Sequence, residues 1–424
     1  MIVGLAKAIG LLLLLVRLGG CDSEEVKPVV IDFWAMGREG ESVQALLPEF
    51  ERRYPGVQVD VQQIPWSAAH EKLLTAYAGD ALPDIFQLGN TWIPEFVALN
   101  AVDDLTERFA THMPADDFFP GVLETNRLDG KLYGVPWYVD TRLIFYRTDL
   151  LQAAGYEQPP RAWHDWWAAM ERIKANLGAN RYAILAPFNE WQMPVILALQ
   201  LGSPLLRDGS RYGDFRGEAF RRAFSLYVGL FRKGWAPVMG EMQVGNLYQE
   251  FCRGLFAFYL SGPWNIGEFS RRLPDEMIGR WATAPMPAPD DHYPGASLAG
   301  GASLVIARTA ANKEAAWKLI QFLAEPARQA EFYGLTGDLP PRKAAWEAEV
   351  LATNAHARAF RTQLERVIPL PRIPEWERIA DKIAHYAEKT IRGEFREEEA
   401  LANLDRDVDL ILEKRRWLLA KEEK

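Results

Sequence analysis

Apolar positions recur along this chain with two different periods. Val29 to Trp34 is a β-rich apolar run, and within Glu41 to Arg53 the residues Val43, Leu46, Leu47 and Phe50 fall at i, i+3, i+4 and i+7, the stripe of an amphipathic helix. Val57, Val59 and Val61 then alternate with Gln58, Asp60 and Gln62, which predicts a second strand. Glu71 to Ala78 reads as a second helix, and Pro83 to Leu88 as a third strand. Strands that alternate with helices imply a mostly parallel, doubly wound sheet.

Further along, Trp163 to Leu177, Ala219 to Lys233, Asn312 to Ala324 and Trp376 to Ile391 carry helical spacing, and Leu255 to Leu260 is a short apolar strand. The pattern is α/β from end to end, without internal repeats or low-complexity segments. Only the charged tail beyond Arg415 is expected to fray.

The N-terminus reads as an address. Met1 to Lys7 is a short positive start, and Ala8 to Val16 is an apolar run too short to span a bilayer. Leu18-Gly19-Gly20-Cys21 follows where that run ends and resembles a bacterial lipobox, so residues 1–21 are expected to be a lipoprotein signal with Cys21 as the acylated mature N-terminus. The alternative is an ordinary signal peptide with an incidental cysteine. Asp22 resembles an inner-membrane retention signal, which implies a lipid anchor on the outer face of the plasma membrane.

Composition narrows the class. A chain of 424 residues, 49% hydrophobic and 25% charged, has length for two or more cores. Its net charge of −9 and the absence of a basic run argue against a nucleic-acid partner. With Cys21 lipidated, Cys252 is the remaining thiol, which leaves no disulfide framework, and its apolar neighbours predict a buried, inert side chain.

Catalytic and nucleotide signatures are missing from the sequence. It has no HExxH, no paired cysteines with histidine partners and no GxxxxGK[ST], and Gly295 to Gly300 lacks the spacing of a nucleophile elbow. A glycoside hydrolase needs only two carboxylates, which 57 acidic residues always supply, so that reading stays open. A third reading is a lipoprotein with a purely structural surface role.

Tryptophan stands out, with 15 copies, many beside Gly, Pro or short polar residues. The pyranose C–H face stacks on indole while its hydroxyls seek carboxylates and amides. Trp163, Trp166, Trp167, Trp317 and Trp376 lie on predicted helices and read as core.

Several separate segments then fall in one order: Phe50 to Val57, Leu82 to Phe86, Tyr133 to Trp137 before Leu143 to Leu150, Ser261-Gly262-Pro263-Trp264, Ala284 to Pro287, Ala311 to Trp317 and Leu339 to Arg342. From Val29 to about Leu412 the chain resembles the extracellular solute-binding proteins of sugar ABC importers, the maltose- and trehalose-binding group. The resemblance implies a type II periplasmic-binding-protein fold of two doubly wound lobes joined by crossing hinge strands. Residues 28–141 plus 302–343 form its N-terminal lobe, and 142–301 plus 344–415 its C-terminal lobe. It implies a monomer that needs no cofactor, captures a neutral oligosaccharide such as an α-linked glucose disaccharide, and docks on a two-subunit permease.

Ligand residues follow from loops at the C-terminal edges of the strands. The first lobe offers Glu39, Trp66, Asn90 and Trp92. Glu39 either meets sugar hydroxyls or is a helix N-terminal acid favoured by the dipole. Asn90 stands where maltose and trehalose binders often carry an acid, which leaves the sugar open. Tyr138 and Asp140 precede the first crossing, and Asp140 matches a family aspartate that binds sugar hydroxyls. In the second lobe Trp191 and Trp264 are candidate stacking platforms, Trp264 because Pro263 starts a helix directly after a strand. Gly300 and Gly301 fall where the chain crosses back, with Ala302 in place of the tryptophan of many relatives. Arg342 either donates to the ligand or forms a salt bridge.

Overall fold

The computed structural model describes residues 28–240, 243–290 and 292–422. Cys21 and the signal segment lie outside the described residues.

The chain opens with strand β1 (Val29–Met36), helix α1 (Gly37–Ser42), strand β2 (Val57–Ile64), helix α2 (Trp66–Ala78) and strand β3 (Ile85–Gly89). The single helix expected over Glu41 to Arg53 is broken: α1 ends at Ser42, a 3₁₀ turn covers Val43–Ala45, and a second helix covers Leu47–Arg53. Pro48 sits in the first turn of that second helix, where its missing N–H costs nothing, whereas inside a continuous helix it would clash with the preceding turn.

β4 (Val135–Asp140) ends the first pass through this lobe, and only Thr141 and Arg142 separate it from β5 (Leu143–Arg147) in a second sheet. Helix α3 (Trp163–Leu177), β6 (Tyr182–Leu185), helix α4 (Gln192–Gln200), β7 (Phe256–Ser261), helix α5 (Trp264–Arg272) and β8 (Trp281–Ala284) follow. β9 (Gly300–Ile306) returns to the first sheet, and helices α6 (Trp376–Ile391), α7 (Glu397–Ile411) and α8 (Glu413–Glu422) close the chain.

The first sheet has the order β2-β1-β3-β9-β4, and the second β8-β5-β7-β6. β1 runs parallel to β2 and β3, while β9 is antiparallel to both β3 and β4. The expected mostly parallel sheet is therefore mixed. β9 enters from the second lobe rather than from a covering helix, so it runs against its neighbours.

Each sheet buries its own core. In the first lobe Ile31 and Phe33 of β1 and Leu304 and Ile306 of β9 pack with Trp317 and Ile320. In the second, Ile144, Ile184 and Phe258 pack with Trp166 and Ile173 of α3 and with Trp376 of α6. Full burial of one such side chain contributes about 1.5–3 kcal/mol. Trp163, Trp166, Trp317 and Trp376 are buried as their helical spacing predicts, and Trp167 is half-buried against Trp166.

Two expectations are corrected. The tail does not fray at Arg415: α8 continues to Glu422, and Arg416 Nη1 donates to the carbonyls of Asp409 at 2.7 Å and Arg211 at 3.1 Å. Cys252 is half-buried rather than buried, with Sγ 4.0 Å from Glu276 Oε1. It ends a short helix, whose apolar neighbour Phe251 takes the core position instead.

Candidate functional site

Gly37 begins the site. Its φ of +49° is left-handed, and a β-carbon there would come within 2.8 Å of the Trp66 ring. This turn places Glu39 in the first turn of α1, where it is buried and lines a cleft of about 700 Å³. Tyr138 Oη donates to Glu39 Oε1 at 2.9 Å, and Tyr138 in turn accepts from Gln87 Nε2 at 3.0 Å. The nearby Trp66 indole also favours the anion of Glu39. Burial raises the Glu39 pKa, and these donors oppose that shift.

Asp338 adds a second buried carboxyl to the same cleft. Burial, reinforced by the charge of Glu39, pushes its pKa up to about 8, against bonding from Thr336 that favours the anion. The two buried carboxyls disfavour each other's charge, which shifts Asp338 toward its protonated form.

On the same first-lobe wall, Trp66 and Trp92 meet edge to face with ring centres 5.8 Å apart. Asn90 beside them is 5% exposed; its Oδ1 accepts from Ser303 Oγ at 2.8 Å, while its Nδ2 is buried with no hydrogen-bond partner. An orphan donor of this kind costs stability unless a ligand oxygen meets it.

The opposing wall comes from the second lobe. Trp191 caps α4 and packs edge-on against Trp376, with centres 5.7 Å apart. Trp264 is the first residue of α5, 37% exposed, and folds back over Gly262, where a β-carbon would lie 1.9 Å from its ring. Asp140, at the end of β4, pairs with Arg142 at 2.5 Å, and Arg142 lies over the Trp264 ring.

Gly300 and Gly301 line the cleft as the first residues of β9, so the chain has already returned to the first sheet when it reaches them. Gly301 has φ +124°, and a β-carbon there would lie 2.3 Å from the Tyr138 carbonyl. The pairing with β4 therefore requires glycine.

Ten of the eleven residues singled out in the sequence thus line one cleft: Glu39, Trp66, Asn90, Trp92, Tyr138, Asp140, Trp191, Trp264, Gly300 and Gly301. Arg342 does not. Its Nε donates to Asp117 Oδ2 at 2.7 Å and its Nη1 to the Ala324 carbonyl at 2.9 Å, with Phe118 beneath the guanidinium. Those bonds hold it away from the cleft, and its salt-bridge reading is the one the structure supports.

Comparison with known proteins follows the same lines. The family model described as "Bacterial extracellular solute-binding protein" matches residues 35–330, more than half of the chain. The chain belongs to that family. The sugar-binding protein MalE from Xanthomonas citri has a similar structure, with a TM-score of 0.89 and 49% identity, covering 92% of this chain and 99% of that one. The galactooligosaccharide-binding protein of Bacillus subtilis (strain 168) is 24% identical over 82% of this chain and 80% of its own length. The GacH receptor of Streptomyces glaucescens, at a TM-score of 0.77 and 22% identity over 91% of this chain and 99% of its own, shares the fold.

These relatives are solute-binding proteins, so this solute-binding protein is not an enzyme and the glycoside-hydrolase reading falls. Membership also places it outside the cytoplasm, in the periplasmic or extracellular space.

Sequence reasoning missed several residues that line the cleft of this solute-binding protein, among them Arg38, Arg142, Gln192, Asp338 and Glu377. Arg142 lies two residues past Asp140, and Asp338 directly precedes the Leu339-Pro340-Pro341-Arg342 landmark, so proximity to recognised segments was the available signal. Glu377 had none: it follows Trp376 on a helix read as core.

Proposed function

We propose that this protein captures a neutral α-linked gluco-oligosaccharide, such as maltose or trehalose, in the cleft between its lobes and delivers it to the permease of an ABC importer. The observation that carries this reading is the pairing of indoles on opposing walls, Trp66 and Trp92 against Trp191 and Trp264, around a floor of carboxyls and one unpartnered amide. Flat apolar faces take the sugar ring, and the floor takes its hydroxyls. The short crossing at Thr141–Arg142 joins the two sheets and is the natural hinge, because few residues there absorb the dihedral change of closure. The names of relatives support a sugar: MalE is a sugar-binding protein, and the Bacillus relative binds galactooligosaccharide.

A thermal-shift screen across maltose, trehalose, maltotriose and galacto-oligosaccharides tests the reading, since a ligand bound only by the native state raises stability with its excess over Kd. The expected result is a rise with an α-glucoside and no release of monosaccharide. A screen in which no sugar shifts the melting temperature overturns it.

The lipobox at Leu18 to Cys21 supports a lipid anchor that holds the protein on the periplasmic face of the cell membrane. Mass spectrometry of the native protein is expected to find diacylglycerol and acyl chains on Cys21. An unmodified Cys21, or a mature chain starting elsewhere, overturns the anchor.

A further inference from the structure

The last two helices carry a ridge that neither the cleft nor the core uses. α7 and α8 follow one another with a single residue between them, Leu412, which is fully buried. Arg406, Leu410, Lys414, Trp417 and Lys421 fall at i, i+4, i+8, i+11 and i+15, the spacing of one helical face. All five are exposed, Leu410 to 63% and Trp417 to 56%, and Leu418 beside them is 44% exposed.

The opposite side of α8 is fastened to the body. Arg416 bonds the carbonyls of Arg211 and Asp409 and lies over Tyr212, and Arg415 approaches Glu375 at 3.8 Å. The ridge is thus held outward by its own anchors. Lys421 Nζ sits 3.5 Å from the Trp417 ring centre, Arg406 stands 3.8 Å from Asp407, and among the described residues Glu399 and Glu413 are exposed carboxylates on this face. Three cations stand against those two exposed anions, with Lys414 and Lys421 at the end that carries Trp417, on a chain whose net charge is −9.

We propose that this ridge lies on the headgroup layer of an anionic phospholipid bilayer. A helix face that combines exposed Trp and Leu with Lys and Arg is the chemistry of an interfacial contact: indole seats at headgroup depth, and the cations meet lipid phosphates. A second copy of the chain fits less well. A stable dimer buries about 800 Å² on each partner, more than three apolar side chains on a narrow ridge supply. The contact is separate from the cleft and stands whatever ligand the cleft takes.

The test compares full chains that differ only on the ridge, so any lipid affinity of the N-terminal segment is common to both. The parent and a Trp417→Ser/Leu418→Ser/Lys421→Glu variant are sedimented with vesicles of phosphatidylglycerol and phosphatidylcholine in equal parts, and with vesicles of phosphatidylcholine alone. The parent is expected to bind the anionic vesicles about tenfold more tightly than the variant at low salt. That difference should disappear on pure phosphatidylcholine and shrink in high salt. Because the three positions are exposed, the variant should melt like the parent. A conservative Lys421→Arg chain should bind like the parent. Equal binding of parent and variant to anionic vesicles overturns the proposal. So does a self-association that the variant loses, or a defect seen only with permease-containing membranes, since either assigns the ridge to a protein partner.

Discussion

The guanidinium carbon of Arg142 lies 4.5 Å from the ring centre of Trp264, over the face of the indole. Arg142 belongs to the crossing between the sheets, and Trp264 opens α5 of the second lobe. Since Arg142 also pairs with Asp140 at 2.5 Å, one cation ties the end of β4 to the indole across the cleft. The pair sets the orientation of both proposed ligand groups.

Trp264→Ala removes a proposed stacking platform without opening the core, because Trp264 is partly exposed. Sugar affinity is expected to fall by about 1–3 kcal/mol, roughly 5- to 150-fold, with the melting temperature nearly unchanged. Calorimetry with the best sugar from the screen checks the first half and thermal unfolding the second. An unaltered affinity would leave Trp264 as a partner of Arg142 alone.

Asp140→Ala is expected to cost about 2 kcal/mol of binding, more than roughly tenfold, because a carboxylate can accept from two adjacent hydroxyls. It also releases Arg142 next to the hinge. The closed form should therefore be less populated with sugar present, which small-angle scattering reads as a larger radius of gyration than for the liganded parent. A mutant that binds and compacts like the parent would make Asp140 a turn residue held for its ion pair.

Asp338 predicts a pH dependence with a definite sign. Its folded pKa of about 8 exceeds the ordinary 3.8, so between those values the folded chain holds a proton that the unfolded chain has released. Its contribution to stability is fully present below 3.8 and is lost as pH rises through about 8. Melting curves across that window should show the parent losing stability relative to Asp338→Asn, which stays neutral throughout. Parallel curves would mean that Asp338 is already ionised at the low end.

Arg342→Ala separates structure from binding. It breaks a largely buried ion pair with Asp117, and loss of one partner from such a pair costs about 3–5 kcal/mol. Thermal unfolding should report that loss, while sugar affinity in the folded fraction stays within about twofold of the parent. A large fall in affinity would return Arg342 to the ligand.

What the sequence determined by itself was local or ordered along the chain. Helical periodicity placed Trp163–Leu177 and Trp376–Ile391 to the residue, because amphipathic stripes are set by the 3.6-residue turn and both helices bury one face. Strand-edge position together with the family resemblance pointed to ten residues that share one cleft, since the order of segments along the chain survives without knowledge of packing. Tertiary structure decided what depends on partners distant in the chain. Arg342 turns to Asp117, 225 residues earlier, and no spacing near Arg342 encodes that choice. β9 is antiparallel because of the lobe it returns from, which periodicity does not register. The pKa of Asp338 is raised because folding buries it near Glu39, far away in sequence, in a medium too poor in water to favour both charges.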